Sequence, residues 1–293
     1  MLSDSLPSPC RLCGGATEYI FEKTILGRHR VRYFSCNGCG SQQTQPPTWL
    51  DEAYSFQGLH IDVGAPTRSI KNWLAASTLL DAVDLALPVV GIDIGAGSGL
   101  FTSLMRSSGW DFCSFDSFAS PLFSSYYNLK ELDDATPAII TAFEMFEHLA
   151  EPAKTLGFLF SRCAPVILFT TWLVDGQDSE WLYYLPECGQ HIFFYSLKGI
   201  EDLAAAHGYR LCISQYFYIL YAPDLLSEAQ VHAVQDFSVN AIARVRVRIP
   251  ELIEQVFMGN SHIDADFEAS TAAFCTMLEA SVVERADKYG PAL

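Results

Sequence analysis

Between residues 67 and 87, in TRSIKNWLAASTLLDAVDLAL, apolar side chains return every three or four positions, which predicts a helix ending before Pro88. VVGIDI, residues 89–94, is instead a compact apolar run of the kind a buried strand makes, and GAGSG breaks it as a turn. Helical spacing resumes in LFTSLMRSSG, closed by Gly109, and WDFCSFD predicts a second strand ending on Asp116. AIITAFEMFEHLAEP then reads as a strand running into a helix, APVILFTTW as a strand, and GQHIFFYSLKGIEDLAAAHGYRL as a turn, a helix and a strand. Strands that alternate with helices predict an α/β fold, a mostly parallel sheet with helices on both faces. Ahead of this body, EYIFEKTILGRHRVRYFSC predicts two short strands around a GRH turn, and residues 47–60 a linker. Residues 222–293 are helical by pattern; RVRVR at 244–248 alternates like a strand, but beside PELIEQ it reads as a solvated helix face.

Half of the 293 residues are hydrophobic, enough for one large core with a small appendage. No apolar run reaches eighteen residues, and MLSDSLPSPC has neither the basic start nor the apolar stretch of an export signal, so the expectation is a cytoplasmic protein with no membrane partner. The formal net charge is -16, made of +2 in residues 1–50 and -18 in the rest. Such a body repels nucleic acid unless a local basic patch overrules it.

Cys10, Cys13, Cys36 and Cys39 form two C-x2-C pairs, each followed by glycine, with twenty-two residues between the pairs. Two-residue spacing lets both thiolates of a pair reach one ion, and glycine permits the positive φ that turns backbone N–H groups toward sulfur. A closed zinc site holding a small ribbon is the expectation, with redox disulfides as the alternative. Cys113, Cys163, Cys188, Cys212 and Cys275 stand in apolar stretches and read as buried thiols. Arg28, His29, Arg30 and Arg32 either balance the negative tetrathiolate or contact a phosphate-bearing substrate, with balance favoured.

The turn Gly95-Ala96-Gly97-Ser98-Gly99 is not a dinucleotide fingerprint, because its third glycine comes one place early and Leu stands at 100. Asp93, two residues ahead of Gly95, would repel a pyrophosphate but suits a ligand with positive charge and no phosphate. DIGAGSG resembles the first motif of class I S-adenosylmethionine-dependent methyltransferases, a resemblance that covers roughly residues 70–220. It implies a Rossmann-like methyltransferase sheet, with Gly95, Gly97 and Gly99 against the cofactor's methionine portion beside Asp93, and Asp116 on the ribose hydroxyls. The interval after Asp116 is too short for the family's usual third strand, which leaves Asn128 and Asp133 as candidates for the adenine contact.

Glu144, Glu147 and His148 fall at i, i+3 and i+4, so a first helical turn would place all three on one side. With His191 they form a candidate second site for a divalent metal. That E-x-x-E-H pattern with a later His resembles ubiquinone-pathway O-methyltransferases and small-RNA 2′-O-methyltransferases, which implies metal-assisted catalysis through Glu144 and His148. His191 alone as general base or positioning donor, or as a structural histidine, is the competing reading. Residues 179–196, SEWLYYLPECGQHIFFYS, combine aromatics with a polar turn, and Trp181, Tyr183, Tyr184, Gln190 and Tyr195 are candidates for lining a substrate pocket. The GQH-aromatic-aromatic-YS segment resembles a bacterial subgroup of methyltransferases with a paired-cysteine head and no assigned substrate.

These readings divide the chain into a zinc ribbon (1–48), a linker with leading helix (49–85), a cofactor-binding methyltransferase domain (86–222) and a helical extension (223–293) serving as a lid or a homodimer contact. The expected activity is methyl transfer from S-adenosylmethionine to a small-molecule or glycan-type acceptor. The rivals are an RNA methyltransferase docking through its ribbon and a non-catalytic binding module on a cofactor fold.

Overall fold

The computed structural model describes residues 8–55, 62–85, 90–132, 137–258, 262, 265–272 and 276. Strands β1 (Thr17–Ile25) and β2 (His29–Cys36) make the expected hairpin, whose turn uses positive φ at Leu26 and Gly27. β2 pairs with β3 (Gln42–Thr44), and helices α1 (Leu50–Ser55) and α2 (Ala65–Val83) follow. The stretch expected to be a linker therefore contains a helix. At six residues α1 is too short to show a hydrophobic period, and it is held by Trp49, whose indole donates to the Gly189 carbonyl at 2.8 Å.

β4 (Val90–Ile94), α3 (Leu100–Ser107), β5 (Asp111–Phe115), β6 (Ile139–Phe143), α4 (Pro152–Ser161) and β7 (Val166–Thr170) build the parallel part of the main sheet. After β8 (Phe193–Phe194) and α5 (Leu197–Ala206), the chain adds β9 (Arg210–Ile213) and β10 (Tyr218–Tyr221), then the long helix α6 (Glu228–Met258). The six strands lie in the order β5-β4-β6-β7-β10-β9, with β10 antiparallel to both neighbours. Beyond β5, a single parallel bridge between Ser114 and Asn128 stands where a third crossover strand would lie, the abbreviation the short interval predicts.

Because successive strand residues face opposite sides, the sheet feeds two cores. Ile140, Ile167 and Leu220 pack with Leu159, Phe160 and Ile200 of α4 and α5. Ile139, Leu168 and Ile219 pack with Leu80, Met105 and Phe237 of α2, α3 and α6. Val234, Phe237, Ala241 and Val245 are buried in that second core, so α6 is a structural layer rather than a lid. RVRVR lies within α6, as expected of a helix face. No helix among the described residues is long and apolar enough to cross a membrane.

The ribbon does not close on itself. Its four-stranded sheet runs β1-β2-β3-β8, so its last strand is borrowed from residues 193–194. Cys10, Leu12, Cys36 and Cys39 belong to the same apolar cluster as Phe193, Tyr195 and Ile200.

Candidate active site and metal centres

The cysteine sulfurs lie within 4.8 Å of one another, with Cys10–Cys39 at 3.8 Å and Cys13–Cys36 at 3.5 Å. A disulfide needs about 2.05 Å, whereas four Zn–S bonds of about 2.3 Å directed to a tetrahedron set sulfurs about 3.8 Å apart. Gly14 and Gly40 take φ of 75° and 81°, and Gly38 N–H approaches Cys36 Sγ at 3.4 Å. This donor set fits a closed zinc site.

Arg28, His29 and Arg30 do not balance that site, contrary to expectation. Arg28 and His29 pair with Glu52, and Arg30 with Glu22, near the hairpin tip. At about 3.3 Å per strand residue the tip lies roughly 20 Å or more from Cys36. The remaining cysteines are less buried than expected: Cys163 is exposed, Cys113, Cys188 and Cys212 are half-buried, and Cys275 lies outside the described residues.

At the carboxyl end of β4 the chain turns tightly. Gly95 N–H donates to the Phe115 carbonyl at 2.8 Å, Gly97 N–H to Asp116 Oδ2 at 2.8 Å, and Gly99 N–H to the Ala96 carbonyl at 2.9 Å. All three glycines are left-handed, at φ 73°, 55° and 76°. Their surroundings differ on the side where a side chain would stand. A Cβ on Gly95 would stand 2.7 Å from Met145 Cγ, and one on Gly99 would strike the Ser124 hydroxyl, so these two are closed by protein. Gly97 has no heavy atom within 4 Å of that position and faces open space. Asp116 Oδ1 accepts from Phe118 N–H at 2.8 Å and Ala119 N–H at 2.7 Å, so the carboxylate fastens the glycine turn to the next loop.

Strand alternation turns the Asp93 side chain inward between α3 and β6, where it is 3% exposed and accepts from Thr102 Oγ1 at 3.0 Å and Thr141 Oγ1 at 2.7 Å. It braces the turn from below through the two threonine hydroxyls. Burial pushes its carboxyl pKa up to about 7, against the pull of the two hydroxyls. A carboxyl whose folded pKa is raised above its unfolded value, near 4, stabilises the fold fully below pH 4 and loses that contribution as pH rises through 7. Relative to the wild type, Asp93→Asn is expected to gain up to about 4 kcal/mol of stability between pH 4 and 7 in urea titrations. A difference that stays constant with pH would contradict this.

Asn128 is occupied in the strand remnant, its Oδ1 accepting from Ser114 Oγ at 3.1 Å, and Asp133 lies outside the described residues.

Beyond β6 the expected helical turn is absent. Glu144 is left-handed at φ 51°, its N–H bound to Thr170 Oγ1 at 2.9 Å, and Phe146–His148 form a single 3-10 turn. Ligand atoms of Glu147, His148 and His191 lie within 4.8 Å of one another, and Glu144 stands outside this group. Glu147 is fully buried; Oε1 accepts from Tyr183 OH at 2.7 Å, while Oε2 has no partner. His191 Nδ1 lies 2.6 Å from the Tyr183 carbonyl, a geometry that makes Nδ1 the donor and leaves Nε2 with a free lone pair. His148 Nε2 is 4.0 Å from Glu147 Oε1, and its Nδ1 meets Tyr54 OH at 3.3 Å. Burial and the neighbouring His191 push the His148 pKa down to about 3, so its ring is neutral at physiological pH. Burial and the charge of Glu147 raise the Glu144 carboxyl, with Arg68 opposing. A buried carboxylate with one unpartnered oxygen, clustered with two imidazoles, is a donor set that fits a divalent cation.

Tyr183 alone of the five pocket candidates reaches this cluster through its side chain. Tyr184 and Tyr195 are fully buried, their hydroxyls given to Gln42 Oε1 at 2.7 Å and the Phe146 carbonyl at 3.1 Å; they are core residues. Gln190 Nε2 donates to the Ala53 carbonyl, and Trp181 packs edge-on against Tyr184 and Phe194. Sequence reading missed Trp172, which is 57% exposed at the end of β7 and stacks on Tyr183 at 5.2 Å and 5°. It also missed Tyr54, which stacks on Phe118 at 4.3 Å. The Trp within APVILFTTW, just past an apolar strand, was the available signal for the first; α1 carried none for the second.

Residues 73–213 match the family model described as a methyltransferase domain. The main sheet is accordingly a Rossmann-like methyltransferase fold, with the four-cysteine cluster ahead of it and a helix after it. Solved structures similar to the chain include the magnesium protoporphyrin IX methyltransferase of Synechocystis, at 10% identity and TM-score 0.41, covering 59% of this chain and 93% of that one. Human N-acetylserotonin methyltransferase is 15% identical over 58% of this chain and 56% of its own, with TM-score 0.41. The plantazolicin methyltransferase BpumL is 14% identical over 69% and 84%, with TM-score 0.44. No curated protein matches the chain.

Proposed function

We propose that this protein transfers a methyl group from S-adenosylmethionine to a small-molecule or glycan-type acceptor. The observation that carries the reading is the turn over Gly97. It is open on its outer side, tied to Asp116, and set at the carboxyl edge of the sheet within the matched methyltransferase domain. S-adenosylmethionine supplies the methyl group on a sulfonium. The chain's part is to hold acceptor and methyl in line, so that rate comes mainly from proximity and alignment.

The acceptor side lies at the ends of β6 and β7. Trp172 offers one exposed ring face there, backed by Tyr183, which suits a flat acceptor. His191 Nε2 is the acceptor for its proton. Should Glu147, His148 and His191 hold a divalent cation, that ion would orient and acidify an acceptor hydroxyl. Zinc in the ribbon is structural in this reading, since four sulfurs leave no open position. The pairing of Arg28 and Arg30 with Glu52 and Glu22 weighs against RNA docking on that face.

The test is calorimetric binding of S-adenosylhomocysteine. Asp116→Ala removes the carboxylate that this reading sets against the ribose hydroxyls and leaves that polar contact unpaired, which costs about 1–3 kcal/mol of binding. Affinity is expected to fall roughly 5- to 150-fold. Absence of binding by the wild-type chain would end the methyl-transfer reading and favour a non-catalytic module.

A further inference from the structure

Arg11 lies inside the first cysteine pair, between Cys10 and Cys13, yet its side chain leaves the ribbon. Nη2 donates to the Ile192 carbonyl at 2.6 Å and approaches Thr44 O and Oγ1 at 3.4 Å, while Nη1 donates to the Ala150 carbonyl at 3.2 Å. The guanidinium also lies 5.6 Å from the centre of the Phe193 ring. Its backbone is held as well: Arg11 N–H donates to Gln43 Oε1 at 2.8 Å, and Ala153 N–H to the Arg11 carbonyl at 3.3 Å.

These partners are the two segments that carry the polar cluster. Ile192 follows His191, and Ala150 stands two residues after His148. Ile192 N–H donates in turn to the Glu147 carbonyl at 2.9 Å, and Thr44 N–H to the Ile192 carbonyl at 3.1 Å. One cation thus fastens the cysteine knuckle to both sides of the cleft. The second knuckle is fastened separately. The Ser196 hydroxyl donates to the Cys39 carbonyl at 2.5 Å and accepts from Gly199 N–H at 2.9 Å, which caps α5.

We infer that Arg11 is a positioning residue for the cleft: the metal-bound knuckle holds Arg11, and Arg11 holds the His191 turn and the residues after His148 in register. A planar guanidinium reaches carbonyls in several directions from one rigid fork. A hydrogen bond from a charged donor is also worth more than a neutral one. The inference needs the ribbon's metal, and it rests on the methyl-transfer reading only for what the cleft does.

Hydrogen exchange read by mass spectrometry on the full-length chain tests it, with zinc content and S-adenosylhomocysteine binding measured alongside. Arg11→Leu is expected to keep its zinc and to lose only about 2–4 °C of melting temperature. Amides of residues 190–194 should exchange on the order of 10-fold faster or more, while β4, β6 and β7 keep their protection. Arg11→Lys, which retains a donor, should recover part of the effect. Stripping zinc from the wild type should also speed exchange at 190–194, here together with the wider loss of stability that removal of the metal brings. Unchanged exchange at 190–194 in zinc-loaded Arg11→Leu would overturn the inference. So would loss of zinc from that variant, because Arg11 would then merely hold the knuckle together. Failure of the wild type to bind S-adenosylhomocysteine while these exchange changes occur would strike the proposed function and leave the positioning role standing.

Discussion

Cys36→Ser is expected to empty the ribbon of its metal and to lower the melting temperature of the whole chain. Structural zinc contributes about 10–16 kcal/mol of apparent binding free energy in small finger domains, and a serine hydroxyl is a poor substitute for thiolate. The loss should spread because Cys10, Leu12, Cys36 and Cys39 pack in one cluster with Phe193, Tyr195 and Ile200, and because β8 completes the ribbon's sheet. With a net loss of about 3–5 kcal/mol, the unfolding midpoint should fall by roughly 10 °C. Elemental analysis and scanning calorimetry check it. Wild type should retain one zinc through mild chelation, and any metal at Glu147, His148 and His191 should leave first. An unchanged midpoint in a zinc-free variant would show that the ribbon folds on its apolar core alone.

The other large effect belongs to the glycine turn, where two neighbouring substitutions should fail in different ways. Gly99→Ala places a left-handed residue at φ 76° and drives its Cβ into the Ser124 hydroxyl, with Pro121 Cβ 3.0 Å away. Left-handed backbone costs about 1–2 kcal/mol and overpacking about 1–3 kcal/mol. A stability loss of about 2–5 kcal/mol in urea titration is the expected sum. Gly97→Ala carries the same backbone strain without the collision, so its stability loss should stop near 1–2 kcal/mol. Its methyl group stands in the open cleft, and S-adenosylhomocysteine affinity should fall more than stability does. Equal stability losses for the two variants would mean that Ser124 and Pro121 move aside freely.

Much of this protein was legible from local spacing. The order of strands and helices, the hairpin around Gly27, the abbreviated third strand and the two cysteine pairs all follow from residues within a few positions of one another. Glu144 marks where that kind of reading failed. Its spacing to Glu147 and His148 places it on one side of a helix, but the chain leaves β6 through a left-handed residue and a 3-10 turn, so the expected helical phase never forms. Tyr184 and Tyr195 failed for a related reason. An aromatic beside a polar turn lines a pocket or fills a core depending on what packs against it, and here the ribbon does.

The sequence by itself determined the chemistry that short-range covalent geometry can enforce: paired cysteines with two residues between them, able to share an ion, glycines that permit a left-handed turn, and an acid at the end of the second strand. Tertiary structure alone decided which charges are buried and what they face. Asp93 turns inward, Glu147 keeps an unpartnered oxygen beside two imidazoles, and Arg11 reaches Ile192 across 181 positions of chain. Burial and electrostatic partnership depend on segments distant in sequence converging in space, and the periodicity of one segment carries no information about another's approach.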